Sequence, residues 1–294
     1  MNIKSFLSAF LPALLLSAPL CAAAPPAGTE ITLHDTVEET TQPAQTLQDG
    51  ETRDWLRSIA SPVPWLTVED HILTVYDESG SKVFCGVYPS LELTDDSASP
   101  LAKALDDWNA EQSMAIWHSR VRTCSEEDRR SDGRLVTYYT DTVPISQWGR
   151  VDDRVISFFM EGSAYTGGLH PFPRIEAYTF DHASGRQIAL NEIVTDRTLL
   201  IEAIAAAFRT QYSDVLQDDF PRGVMEALLI QHPAERGLTS FCWYIAADGS
   251  LIIYYPASVL TSYAISAQIV LENFSFSFGK IKCVFHSPKR TNFS

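Results

Sequence analysis

The sequence predicts an α+β fold, a mostly antiparallel sheet with two or three helices. Two observations predict it. Short runs rich in Val, Ile, Tyr and Phe recur along the chain, separated by Gly-bearing turns, as hairpin-connected strands require. Apolar residues at helical spacing are confined to a few stretches between those runs.

The first strand-like runs are His71 to Tyr76 and Lys82 to Tyr88, with Gly80 supplying the turn between them. A helix follows. Ser99 suits its N-cap and Pro100 its first position, and Leu101, Leu105 and Trp108 form a core stripe continued by Met114 and Trp117. Leu135 to Val143 and Arg154 to Glu161 are the next strands. A glycine-bearing loop, Ser163 to Pro171, leads to a strand at Ile175 to Phe180, and Asp181 to Gly185 turns it back toward Gln187 to Leu190. Leu200, Ile204 and Phe208 mark one face of a second helix, joined by Ile201 and Ala207, and a short third helix is expected over Gly223 to Ile230. Phe241 to Ala246 and Leu251 to Tyr255 flank Asp248-Gly249 as a hairpin, and Ala267 to Phe278 closes the sheet.

At the N-terminus Lys4 precedes an apolar run from Phe6 to Leu20, and Cys21-Ala22-Ala23 fits the small-x-small cleavage rule. Residues 1–23 are therefore expected to be a signal peptide. A membrane anchor is the alternative, but Pro12 and Pro19 interrupt the run, which falls short of the roughly 20 residues needed to span. Lipidation of Cys21 would want a small residue before it, where the chain has Leu20. Residues 24–50 hold no Lys or Arg and few large apolar residues, and read as a flexible acidic spacer. Beyond it we expect an N-terminal α+β subdomain over 51–150, a C-terminal one over 151–286 and a polar tail over 287–294. No later stretch is long and apolar enough for a transmembrane helix. The expected location is periplasmic or extracellular, in the cell envelope.

Lys and Arg number 22 against 37 Asp and Glu, a formal net charge of −15. Loss of Lys4 with the signal peptide makes the mature chain one unit more negative. That balance argues against nucleic acid and anionic lipid and favours a cationic partner. Past Cys21 there are Cys85, Cys124, Cys242 and Cys283. In an oxidising compartment they permit two disulfides in any of three connectivities, and four buried thiols are the alternative. None forms Cys-x-x-Cys, and no histidines stand at metal-ligand spacing, so no metal or cofactor is expected. Acidic runs such as Asp95-Asp96 and Asp152-Asp153 have no framing motif, and adjacent acids usually point apart, so no catalytic residue is assigned.

The loop from Tyr165 to Pro171 is the most distinctive segment. Gly167 and Gly168 let the backbone approach a neighbour, while Tyr165 and His170 offer an amphipathic rim. It is either a contact surface or a tight crossing with both rings tied into the fold. A second aromatic segment, Tyr254 to Tyr263, carries Tyr255, Pro256 and Tyr263, with one of its first two tyrosines expected in the core.

These segments resemble the extracellular domain of the RsiV-type anti-sigma factors. The likeness rests on Tyr165-Thr-Gly167-Gly168-x-His170-Pro171, Tyr178-x-Phe180-Asp181-x-x-Ser184-Gly185-x-x-Ile188-x-Leu190, Trp243 to Asp248-Gly249, and Tyr254-Tyr255-Pro256 with Tyr263-Ala264. It covers Val151 to Phe276. A weaker likeness to the peptidoglycan-deacetylase-associated domain that precedes it covers Leu73 to Val143, notably Tyr88-Pro89 and the helix from Ser99. The chain departs from the pattern at Ala257 and Ser258, where the family commonly has Tyr and an acid, and at Ser266, where it often has Gly.

The resemblance implies an envelope-facing α+β domain, with lysozyme recognition as the best-known activity in one branch. Two functions follow as expectations. The first is an exported binding module that recognises a cationic muramidase such as lysozyme, or cell-wall glycan (peptidoglycan), through Tyr165, Gly167, Gly168, His170, Tyr255, Pro256 and Tyr263. The second is a peptidoglycan-modifying hydrolase or deacetylase accessory protein. A deep pocket with converging His and carboxylates would favour the enzyme, and a shallow aromatic surface the binding module.

Overall fold

Alternating burial along residues 66–76 and the turn at Gly80 (φ 74°) fold β2 (Leu66–Tyr76) back on β3 (Lys82–Leu93) as a long antiparallel hairpin. The computed structural model describes residues 36–48, 51–95, 99–123, 138–167, 170–194, 196–212, 242–255, 267–271, 276–278 and 281–283. The remaining elements are β1 (Thr36–Pro43), α1 (Pro100–Thr123), β4 (Tyr139–Thr142), β5 (Ile145–Val151), β6 (Val155–Tyr165), β7 (Phe172–Asp181), α2 (Leu190–Ile193), α3 (Arg197–Gln211), β8 (Cys242–Ile245), β9 (Leu251–Tyr255), β10 (Ala267–Leu271), β11 (Phe276–Phe278) and β12 (Ile281–Cys283).

Seven strands form one sheet in the order β1-β2-β3-β4-β6-β5, with β7 also paired to β6. Only β3 and β4 run parallel; every other paired neighbour among the described strands is antiparallel. A second sheet has the order β10-β9-β8, and β11 pairs β12. The architecture is thus α+β and sheet-dominated, as the sequence predicts. The expected third helix at Gly223 to Ile230 lies outside the described residues.

Helix α1 begins as expected: the Ser99 hydroxyl accepts the Ala102 N–H at 3.1 Å, satisfying one of the donors left over at a helix start. It buries Leu101, Leu105 and Trp108 against the sheet, but the stripe then continues through Gln112 and Ile116. Met114, expected in that stripe, is 57% exposed. The 3.6-residue period carries the buried face from Trp108 to Gln112 and leaves Met114 near the opposite side. Gly86 permits the close packing of this helix, since a Cβ there would come within 2.3 Å of Ile116 Cγ2.

The spacer expected over 24–50 is corrected in part by β1, which pairs with β2 along its whole length. Its side chains are mostly exposed, so the strand is held by its backbone ladder rather than by apolar burial. Thr36, Thr40 and Thr41 suit a strand, but no apolar alternation advertises it.

Candidate functional site

The glycine loop joins β6 to β7. Tyr165 ends β6, half-buried, with its ring 6.5 Å from that of Tyr139. Gly167 adopts φ 91°, a conformation that favours glycine, while Gly168 lies outside the described residues. His170 is exposed, and two residues on Phe172 is 61% exposed.

The second aromatic segment does not join it. Pro256 and Tyr263 lie outside the described residues. Tyr255, expected at a partner-contacting surface, is 1% exposed and packs in the core with Phe208 and Trp243. Strand β9 is central in its sheet, covered by α3 on one face and by the Phe159 cluster on the other, so Tyr254 and Tyr255 are both buried. Burial pushes the Tyr255 hydroxyl pKa upward.

An open cleft of about 390 Å³ lies at the N-terminal end of α1. Its lining comes from separate segments: Trp65 before β2, Leu93 at the end of β3 and Asp95 after it, Ser99 and Pro100, Asp153 in the β5–β6 turn, and His182 with Ala183 after β7. Trp65 is anchored on the core and meets the His182 ring edge-on at 5.4 Å. The two turns are stiffened by their own side chains. Asp152 accepts the N–H groups of Arg154 and Val155 and pairs with Arg150 Nε at 2.5 Å, and Asp181 accepts from Ser184 N and Oγ. The His182 N–H donates to the Arg154 carbonyl at 2.8 Å, tying one turn to the other.

Among the described residues the cleft lining therefore holds an indole, an imidazole and two carboxylates, with no Lys or Arg. Burial alone would raise the neighbouring Asp152 carboxyl, but its hydrogen bonds to Arg150, Arg154 and Val155 outweigh that and lower it. Asp95 and Asp153 make no such contacts among the described residues.

Between α1 and the sheet lies a partly buried polar chain. Arg174 donates to both oxygens of Asp141, at 2.7 and 2.8 Å, and to Glu176 at 2.5 Å; Tyr178 donates to Glu176 at 2.7 Å and accepts from Gln112. Burial raises the Asp141 carboxyl, against the pull of Arg174. Burial would lower Arg174, but Asp141 and Glu176 overcome it and hold the guanidinium charged. This chain fastens α1 to β4 and β7; its side chains satisfy one another.

Cys85 and Cys242 are free thiols, one on β3 and one on β8. Cys124 and the Cys283 side chain lie outside the description. Among the described residues no helix is long and apolar enough to cross a membrane.

No family model matches the chain, and no curated protein matches it. Two solved structures are similar to it. A DUF3298 family protein from Pseudomonas aeruginosa PAO1 has a TM-score of 0.44 at 9% identity, covering 81% of this chain and 90% of that one. A DUF3298 family member from Bacteroides fragilis NCTC 9343 has a TM-score of 0.45 at 13% identity, covering 70% of this chain and 88% of that one.

Proposed function

We propose that the chain is an exported cell-envelope binding module whose ligand seat is the Trp65 cleft, and that the seat takes a cationic group of a partner protein such as lysozyme. The observation that carries this reading is the lining itself: Trp65, Asp95 and Asp153 share one open cleft whose described lining residues include no Lys or Arg. An indole face attracts an ammonium or guanidinium group, and the two carboxylates complete the seat. The net charge of −15 steers a positive partner toward it over long range. The motif likeness to RsiV-type domains makes lysozyme the first partner to test.

Cell-wall glycan is the second reading. It is favoured by the aromatic wall beside Ser99 and the carboxylates, because a sugar ring offers an apolar face and a rim of hydroxyls. Calorimetric titration with lysozyme and with soluble peptidoglycan fragments separates the two. Lysozyme is expected to bind, and to bind more weakly as salt is raised. Binding of glycan alone, insensitive to salt, would select the second reading, and no heat from either ligand would remove both.

A further inference from the structure

Three neighbouring strands each send one functional side chain to the same face of the sheet. Glu39 comes from β1, His71 from β2 and Ser90 from β3. The register sets them on a diagonal: Glu39 stands opposite Leu73, two residues past His71, and His71 stands opposite Tyr88, two residues before Ser90. Residues two apart on a strand share a face, and diagonal neighbours are within reach of long side chains. Ser90 Oγ is 2.9 Å from His71 Nε2, and His71 Nδ1 is 3.6 Å from Glu39 Oε1. Tyr88 braces both partners. Its ring stacks on the imidazole at 4.9 Å, and its hydroxyl donates to the same Glu39 oxygen at 2.5 Å.

We propose that Ser90 is an activated serine that accepts an acyl group from a small ester, with His71 as its base. The Glu39 carboxylate, 3.6 Å from Nδ1 and so beyond direct hydrogen-bond distance, favours a proton on that side of the ring through its charge, which leaves the Nε2 lone pair facing the Ser90 hydroxyl. As Oγ bonds the ester carbonyl carbon, its proton passes to Nε2. The bond from that carbon to the alkoxide then breaks, and the alcohol leaves with the proton from Nε2. Acyl-Ser90 and neutral His71 remain, and water deprotonated by His71 later releases the carboxylic acid. Glu39 acts through His71 and is a positioning residue.

Two observations bound the chemistry. Ser90 is 8% exposed, so the acyl group it admits is small, of acetyl size. The N–H of Leu91, the residue after the serine, is taken by Asn109 Oδ1 at 2.9 Å, so it gives no help to a tetrahedral oxyanion. A stoichiometric burst of acylation followed by slow turnover is the expected kinetic form.

The probe is p-nitrophenyl acetate, with the adduct located by peptide mass spectrometry. Wild-type protein is expected to carry acetyl on Ser90 after the burst, and p-nitrophenyl octanoate to react at least ~10-fold more slowly. His71→Gln should slow acylation of Ser90 by ~100-fold or more, the usual contribution of a general base. In Glu39→Gln, ¹⁵N NMR should show the His71 proton shared between the two ring nitrogens rather than held on Nδ1, a change that a purely structural Glu39 would not produce. Ser90→Ala should abolish the adduct; should it fail to fold, His71→Gln decides. A folded wild-type protein with no acetyl on Ser90, or equal acetylation of Ser90 in His71→Gln, overturns the proposal.

Discussion

The carbonyl oxygen of Pro100 lies 2.3 Å from the point where Gly185 would carry a β-carbon. Gly185 also has φ 69°, so the turn after β7 rests on the first residue of α1 only because position 185 has no side chain. Gly185→Ala combines left-handed strain with a backbone clash, and should cost at least ~2 kcal/mol. Urea unfolding measures it. An unchanged midpoint would mean that the turn does not depend on this approach.

Ser157 links the two larger sheets. Its hydroxyl accepts the Ile245 N–H at 2.9 Å and pairs with Thr179 Oγ1 at 2.7 Å, with no exposure to solvent. Ser157→Ala leaves the Ile245 N–H buried and unpaired, which should lower stability by ~1–3 kcal/mol. A loss under ~0.5 kcal/mol, as for an ordinary surface change, would contradict this role.

Legibility of the chain in its sequence followed the physics of each signal. Helix α1 was readable because Ser99, Pro100 and a spaced Leu101, Leu105 and Trp108 are local signals. Strand β1 was not, because an edge strand held by its ladder needs no apolar alternation. Strand β5 also passed unrecognised: its pairing with β6 shifts register twice, and Gln147, Gly149 and Arg150 break the alternation. The burial of Tyr255 is not legible in the sequence because period-two patterning cannot reveal a strand covered on both faces. The cleft was invisible for another reason. Trp65, Asp95, Asp153 and His182 meet only after folding, and no spacing in the sequence relates them. The one local clue is the turn Asp181 to Gly185, which reads in sequence as a hairpin turn rather than as a cleft wall.

Asp70 gives the fold a pH signature. Its carboxylate is fully buried and accepts Ser58 N at 2.8 Å and Ser58 Oγ at 2.5 Å, while Ser58 Oγ accepts the Ile145 N–H. Burial raises this carboxyl above its ordinary range, with the Ser58 bonds pulling it partly back. The folded state therefore keeps the proton to higher pH than the unfolded chain, and the contribution of Asp70 to stability falls as pH rises. Urea unfolding between roughly pH 4 and pH 7 should show wild type losing ground to Asp70→Asn as pH increases. A flat or rising difference would contradict the sign.

Cys242 should be inert in the native protein. Burial, and then the charge of Glu176, push its thiol up to about 12, and alkylation requires the thiolate. Iodoacetamide at neutral pH should label Cys242 only after unfolding, as read by mass spectrometry of the peptide. Equal labelling rates in folded and unfolded protein would place the thiol in a more open setting.

Seating of the partner in the Trp65 cleft is tested by Trp65→Ala in a calorimetric titration with lysozyme. Trp65 is half-buried with its ring against His182, so truncation removes the platform. Binding is expected to be at least ~10-fold weaker, a loss of more than ~1 kcal/mol, with the fold retained. Unchanged affinity in a folded Trp65→Ala protein would contradict it.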